Sequence, residues 1–148
     1  MPVDRKNMSK EYTINYVENP EASAWGIIGR GLSAYNYQQT KDRKFERICF
    51  VLQSPDGEIA GGAIGELYYG WFHLDLLWVK DELRGHGYGH DLLMRIEEES
   101  RQRGANNIYL DTFSFQVPDF YKRYGYEEFA VLSDYPPGHQ RYFLKKQL

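Results

Sequence analysis

The sequence predicts a mixed α/β fold whose elements run β-α-β-β-β-α-β-α-β-β, and three observations carry that reading. Short runs rich in β-branched and aromatic residues, such as "RICFVLQ", "WFHLDLLWV" and "NIYLDTF", read as strands. Between the last two lies "RGHGYGHDLLMRIEEES", whose Leu92, Leu93 and Ile96 recur at helical spacing while Glu97, Glu98 and Arg101 are expected on the outer face. Glycine, proline and asparagine mark the joints between these segments. At 148 residues the chain is expected to be one domain, 1–148, with residues 1–10 as a polar tail.

Taken in order, "YTINYVE" reads as a first strand, and Asn19-Pro20-Glu21 opens a helix because proline suits the first helical position. That helix is expected over residues 21 to about 34, on Ala24, Ile27, Ile28 and Leu32, weakened by Gly26, Gly29 and Gly31 and breaking before "AYNYQQT". "RICFVLQ" and "EIAGGAIGELYY" flank the turn "SPDG" and form a hairpin, to which "WFHLDLLWV" adds a third antiparallel strand. Beyond Gly104, a helix-stopping glycine by position, "NIYLDTF" is a strand and "VPDFYKRYG" a short helix ended by Gly125. A last strand pair, "YEEFAVL" and "RYFLKKQL", flanks "DYPPGH".

Composition narrows the function. A net charge of -3 with no block of Lys or Arg leaves no footprint for nucleic acid. No 18-residue apolar run and no apolar leader is present, which reads as a cytoplasmic chain without a membrane partner. The single Cys49, inside "ICFVL", rules out an internal disulfide and is expected to be a buried thiol. His86 and His90 lie four apart but lack a third ligand, so no metal is expected.

The informative stretch is "DELRGHGYGHDLLMRIEEES". Its three glycines fall at a helix N-terminus, where the first N–H groups lack intrahelical partners and the peptide dipoles concentrate positive charge. Glycine admits a ligand close to that backbone, at a cost of about 0.5 to 1 kcal/mol each in regular structure. A phosphate suits both features, and Arg84 just outside adds a guanidinium fit for a diphosphate. A Walker loop would need Gly-Lys-Ser/Thr where Gly89-His90-Asp91 stands. A dinucleotide fingerprint would need glycine at position 90 and a parallel βαβ unit, whereas the preceding strand is expected in an antiparallel meander. A loop that merely turns tightly is the remaining alternative.

"Arg84-Gly85-His86-Gly87-Tyr88-Gly89" resembles the R/Q-x-x-G-x-G/A motif of the GNAT superfamily of acyl-CoA-dependent N-acetyltransferases, and "PDFYKRYGYEEF" resembles that family's "FYxxxGF" segment. The resemblance implies a central mixed, mostly antiparallel sheet with helices on both faces, acetyl-CoA as acyl donor, no metal, and commonly a homodimer. It implies that the backbone of Gly85, His86, Gly87, Tyr88, Gly89 and His90 cradles the CoA diphosphate beside Arg84. It also implies that Leu77, Trp78 and Val79 hydrogen-bond the pantetheine arm. Where the family often has asparagine before its catalytic tyrosine, Ser114 and Gln116 are the nearest polar residues here, and Gln116 is the expected cofactor contact.

Acetyl transfer from a thioester to an amine requires a neutral amine, a stabilised oxyanion and a proton for the departing thiolate. Tyr121, matching the family's tyrosine, is the expected general acid and cofactor contact; a phenol near pKa 10 facing a thiol near 8.5 is uphill by only about 1.5. For the general base, His73 and Asp75 on one strand, expected to share a face with Leu77 and Val79, stand beside Asp111 and Glu66, and water remains a fifth route. Tyr35, Tyr37, Tyr135 and His139 are expected in loops where aromatic rings would hold a cationic acceptor. The sequence thus predicts an N-acetyltransferase acting on a primary amine of a small molecule. The alternatives are a protein or peptide acetyltransferase and a silent acyl-CoA sensor.

Overall fold

The computed structural model describes residues 11–148, which divide into two compact units with the boundary between Asp42 and Arg43. In the first unit a 3-10 turn, Pro20–Ala22, precedes helix α1 (Trp25–Thr40), which ends on Lys41 in the left-handed region with its N–H on Tyr37 O at 2.8 Å. The helix runs through "AYNYQQT", so Tyr35 and Tyr37 are helical, not loop residues as their sequence context suggests. Asn36, Gln38 and Gln39 continue a helix as readily as they interrupt one, and nothing in that stretch is a proline. Residues 12–18 form no strand. Alternation suits a strand, but a strand also needs a ladder partner, and this segment has none among the described residues.

The second unit is built on a six-stranded sheet. Its strands are β1 (Phe45–Gln53), β2 (Ile59–Tyr68), β3 (Trp71–Val79), β4 (Asn107–Phe113), β5 (Glu127–Ser133) and β6 (Gln140–Gln147), in the spatial order β1-β2-β3-β4-β6-β5. Every pairing is antiparallel except β3 with β4. Helix α2 (Tyr88–Gln102) makes that parallel crossover, a connection the meander reading of β3 did not anticipate. A third helix, α3 (Pro118–Arg123), follows β4.

Helix α2 lies against β1, β2 and β3 and buries Leu92, Leu93 and Ile96 on Phe72, Leu74, Ile108 and Leu110. Strand alternation carries Ile48 into this core and turns its neighbour Cys49 outward, so the thiol is exposed rather than buried. Glu97 also departs from expectation: it is 2% exposed, because the apolar stripe of α2 is wide enough to take in the next residue. There Lys146 Nζ donates to Glu97 Oε1 at 2.6 Å and the Tyr126 hydroxyl donates to the same oxygen at 3.2 Å. Burial, then the Glu97 charge, pushes the Tyr126 phenol far up. Removing one member of a buried pair strands the other. Lys146→Met is therefore expected to lower unfolding stability by about 3 kcal/mol, read from urea denaturation.

The feature that shapes the site is a bulge in β3. Ile64 pairs with Leu76 and Gly65 with Leu74, so Asp75 is the extra residue. Gly65 accommodates this because any Cβ there would stand 2.0 Å from His73 O and 2.6 Å from the Phe72 ring. The bulge also reverses the phase of the strand. Leu77, opposite buried Ala63, joins Phe72 and Leu74 on the core face, while His73, opposite Glu66, points the other way. His73 therefore does not share a face with Leu77 and Val79, as an uninterrupted strand would require. β3 and β4 pair only at Trp71–Asn107, Phe72–Ile108 and His73–Tyr109; past the bulge, β3 has no strand partner on that edge among the described residues.

Candidate active site

Where β3 and β4 part, a cleft of about 890 Å³ opens between them, bounded by the start of α2 and by α3. Its β3 wall runs from Leu74 to Val79 and its β4 wall comprises Leu110, Asp111 and Thr112. Because Asp75 to Val79 have no β4 partner, the strand leaves backbone N–H and C=O groups on that edge outside the ladder, with Val79 O taken up by Arg84 Nε. Arg84, Gly85, Gly87, Tyr88, Gly89 and His90 line the mouth.

The mouth is built to be left open. The N-cap of α2 is Gly87, in the left-handed region at φ 85°, and no side chain caps the helix. Gly85 has φ 80°, and among the described residues a Cβ at either glycine would meet nothing within 4 Å beyond its chain neighbours. The backbone therefore turns through two positive-φ glycines and presents its first N–H groups to the cleft. Arg84 is fixed beside them: its Nη2 lies 2.9 Å from Asp81 Oδ1 and its Nε donates to Val79 O at 3.3 Å. These donors, a helix dipole and a guanidinium suit a diphosphate, and the free β3 edge suits a chain of amides. His86 is the exception: its side chain does not line the cleft, and its Nδ1 lies 3.1 and 3.0 Å from the carbonyl oxygens of Leu83 and Arg84.

Tyr121 stands in the cleft wall, its ring edge-on to Phe120 (5.2 Å between centroids) and to Tyr126 (5.7 Å). Burial, reinforced by the charge of Asp111, pushes its phenol up to about 12. The gap to a free thiol near 8.5 thus widens to roughly 3.5, although the same burial raises a thiol inside the cleft. Gln116 also lines the cleft; its Oε1 accepts from Thr112 Oγ1 and from the Phe113 N–H, both at 2.9 Å, which anchors the loop and leaves its amide NH₂ to donate. Ser114 instead turns to the β5–β6 turn, accepting from the Gln140 N–H at 3.1 Å, with His139 Nδ1 at 3.5 Å.

The four base candidates separate. His73 does not line the cleft; it stacks on Tyr109 at 4.6 Å, with Glu66 Oε2 3.6 Å from its Nδ1. Asp111 lines it but receives Arg141 Nε at 2.9 Å. Asp75, on the bulge, lines the cleft and makes no hydrogen bond or ion pair among the described residues. Sequence reasoning missed Arg123, a cleft-lining cation of α3 without an ion pair among the described residues, and Phe115, Phe120 and Val117 of the apolar wall. No side-chain pattern singles out Arg123 in "FYKRYG". No group of three or more metal-ligating side chains occurs among the described residues, and none of their helices is long and apolar enough to cross a membrane.

The cleft thus joins a parallel strand pair splayed by a bulge to a helix that starts on a positive-φ glycine. The sequence profile of the acetyltransferase (GNAT) family matches residues 13–126, and the chain belongs to that family. It is 43% identical over 93 residues to a blasticidin-S acetyltransferase of Streptomyces morookaense, covering 62% of this chain and 68% of that one. It is 30% identical over 127 residues to an acetyltransferase of Agrobacterium fabrum, covering 86% and 93%. The crystal structure of an acetyltransferase from Bacillus cereus superposes with a TM-score of 0.83 at 35% identity, covering 93% of this chain and 99% of that one. The protein is an acetyltransferase with the mixed, mostly antiparallel sheet and three helices of that family.

Proposed function

We propose that the protein transfers the acetyl group of acetyl-CoA to a primary amine of a small molecule by direct attack on the thioester. The observation that carries this reading is the glycine-capped start of α2 opening onto the unpaired edge of β3. In this reading the amides of residues 85–90 and Arg84 hold the diphosphate, and the backbone of Leu77 to Val79 pairs with the pantetheine amides and meets the acetyl oxygen. Asp75, lining the cleft without a partner among the described residues, receives the amine's proton. The amine nitrogen bonds to the acetyl carbon, the carbon–sulfur bond breaks, and Tyr121 protonates the leaving sulfur. Similarity to a blasticidin-S acetyltransferase supports a small-molecule acceptor. The place of Tyr121 in the cleft favours an enzyme over a silent acyl-CoA sensor, which has no thiolate to protonate.

The test is release of free CoA thiol from acetyl-CoA across a panel of small amines, blasticidin S among them. At least one amine is expected to be acetylated. Tight acetyl-CoA binding with no thiol released by any amine would leave the sensor standing instead. Arg84→Ala is expected to raise the KM for acetyl-CoA about fivefold with kcat within twofold, because an exposed diphosphate contact is felt equally in ground and transition states. A fall in kcat at constant KM would contradict that placement.

A further inference from the structure

The charges along the cleft are not evenly spread. At the α2 end stand Arg84 and the helix N-terminus, with Arg123 on α3; where the strands part stand Asp75 and Asp111, the only carboxylates lining the cleft among the described residues. One end therefore suits an anion and the other a cation. The two acids differ in their surroundings. Asp75 sits exposed on the bulge, whereas Asp111 is held: Arg141 Nε and Nη2 both reach its Oδ1, at 2.9 and 2.8 Å. Arg141 is itself wedged among aromatic rings, its guanidinium carbon 5.4 Å from the Phe113 centroid, 5.0 Å from Tyr135 and 5.3 Å from Phe143.

Both guanidinium contacts fall on one oxygen. Asp111 Oδ2 makes no hydrogen bond among the described residues, and the side chain is 21% exposed, so the second oxygen is reachable while the first is clamped. The oxygen held by the guanidinium is already engaged as an acceptor, so a ligand meets the other oxygen of a carboxylate whose position is fixed. That oxygen is well suited to accept a hydrogen bond from a cation at a set position. Its register supports this: Asp111 and Tyr109 lie on the face of β4 opposite the buried Leu110 and Thr112, so a ligand on Asp111 approaches from the side of the sheet away from α2.

We propose that Asp111, clamped by Arg141 within the Phe113–Tyr135–Phe143 aromatic cage, is the residue that anchors the acceptor, and that it selects molecules bearing an ammonium group. Asp111 is thus a specificity-determining residue and Arg141 the residue that positions it. The proposal rests on the acetyl-transfer reading for the ligand's being an acceptor, but the recognition itself is measurable without turnover.

The experiment is calorimetric titration of n-hexylammonium and, separately, its neutral analogue 1-hexanol into the wild type, Asp111→Asn and Asp111→Glu, with and without saturating CoA. The wild type is expected to prefer the ammonium over the alcohol by about tenfold, as a charge-assisted hydrogen bond carries. Asp111→Asn should erase that preference and Asp111→Glu restore most of it. Equal preference in the wild type and Asp111→Asn, or no preference in the wild type, overturns the proposal. A variant that merely loosens the fold lowers both affinities and leaves their ratio, which keeps the comparison decisive. Failure of CoA to bind the wild type sinks the acetyl-transfer reading instead, and the ratio is then read on the free protein.

Discussion

Replacing Tyr121 with phenylalanine is expected to lower turnover about 100-fold or more while acetyl-CoA affinity stays unchanged. The substitution keeps the ring between Phe120 and Tyr126 and removes only the hydroxyl, whose proposed contact forms as the carbon–sulfur bond breaks. A purely structural tyrosine would lose about 1 kcal/mol of stability and little activity. The raised pKa, about 12, fixes the sign of the pH effects. The phenol stays protonated through the neutral and mildly alkaline range, so no loss of rate there belongs to tyrosinate. Its contribution to stability is complete below the unfolded value near 10 and is lost as pH rises toward about 12. Steady-state rates and cofactor titrations on both proteins decide the matter; equal rates would move the acid role to water or to Tyr124, which also lines the cleft.

Gly87→Val is expected to weaken acetyl-CoA binding by more than about 100-fold in a protein that still folds. A Cβ there has no contact within 4 Å beyond the chain neighbours among the described residues, but in the proposed reading the side chain occupies the mouth through which the diphosphate approaches the amides of α2. The position also has φ 85°, which costs an L-residue about 1 to 2 kcal/mol. Thermal unfolding is therefore expected to shift down modestly while affinity collapses. Calorimetry showing unchanged affinity in the folded variant would remove the diphosphate from this loop.

The parts of the fold legible in the sequence are those governed by local rules. β3 runs from Trp71 to Val79 and β4 from Asn107 to Phe113, as the aromatic and β-branched runs indicate, and "SPDG" turns with the Gly57 N–H on Ser54 O. The glycine-rich start of α2 was legible too, because an uncapped helix end and positive-φ glycines are consequences of residue type. Residues 12–18 were misread because alternation says nothing about a partner, and Cys49 because an apolar run does not say which of its residues faces the core.

What the sequence by itself determined is the glycine-rich turn from Arg84 to His90 at the start of α2 and the short helix that carries Tyr121. Those features depend on residues close in the chain, whose backbone preferences and spacing act locally. Only the tertiary structure decided the other end. The bulge at Asp75 exists because Gly65, on the neighbouring strand, lets β3 crowd against it, and that one extra residue turns Leu77 inward and parts β3 from β4. Asp111 meets Arg141, 30 residues along the chain, only once β4 and β6 are in register. Glu97 reads as a surface residue until Lys146 and Tyr126 are brought to it. Pairings between distant strands set which carboxylates are clamped, buried or free, and no local pattern encodes them.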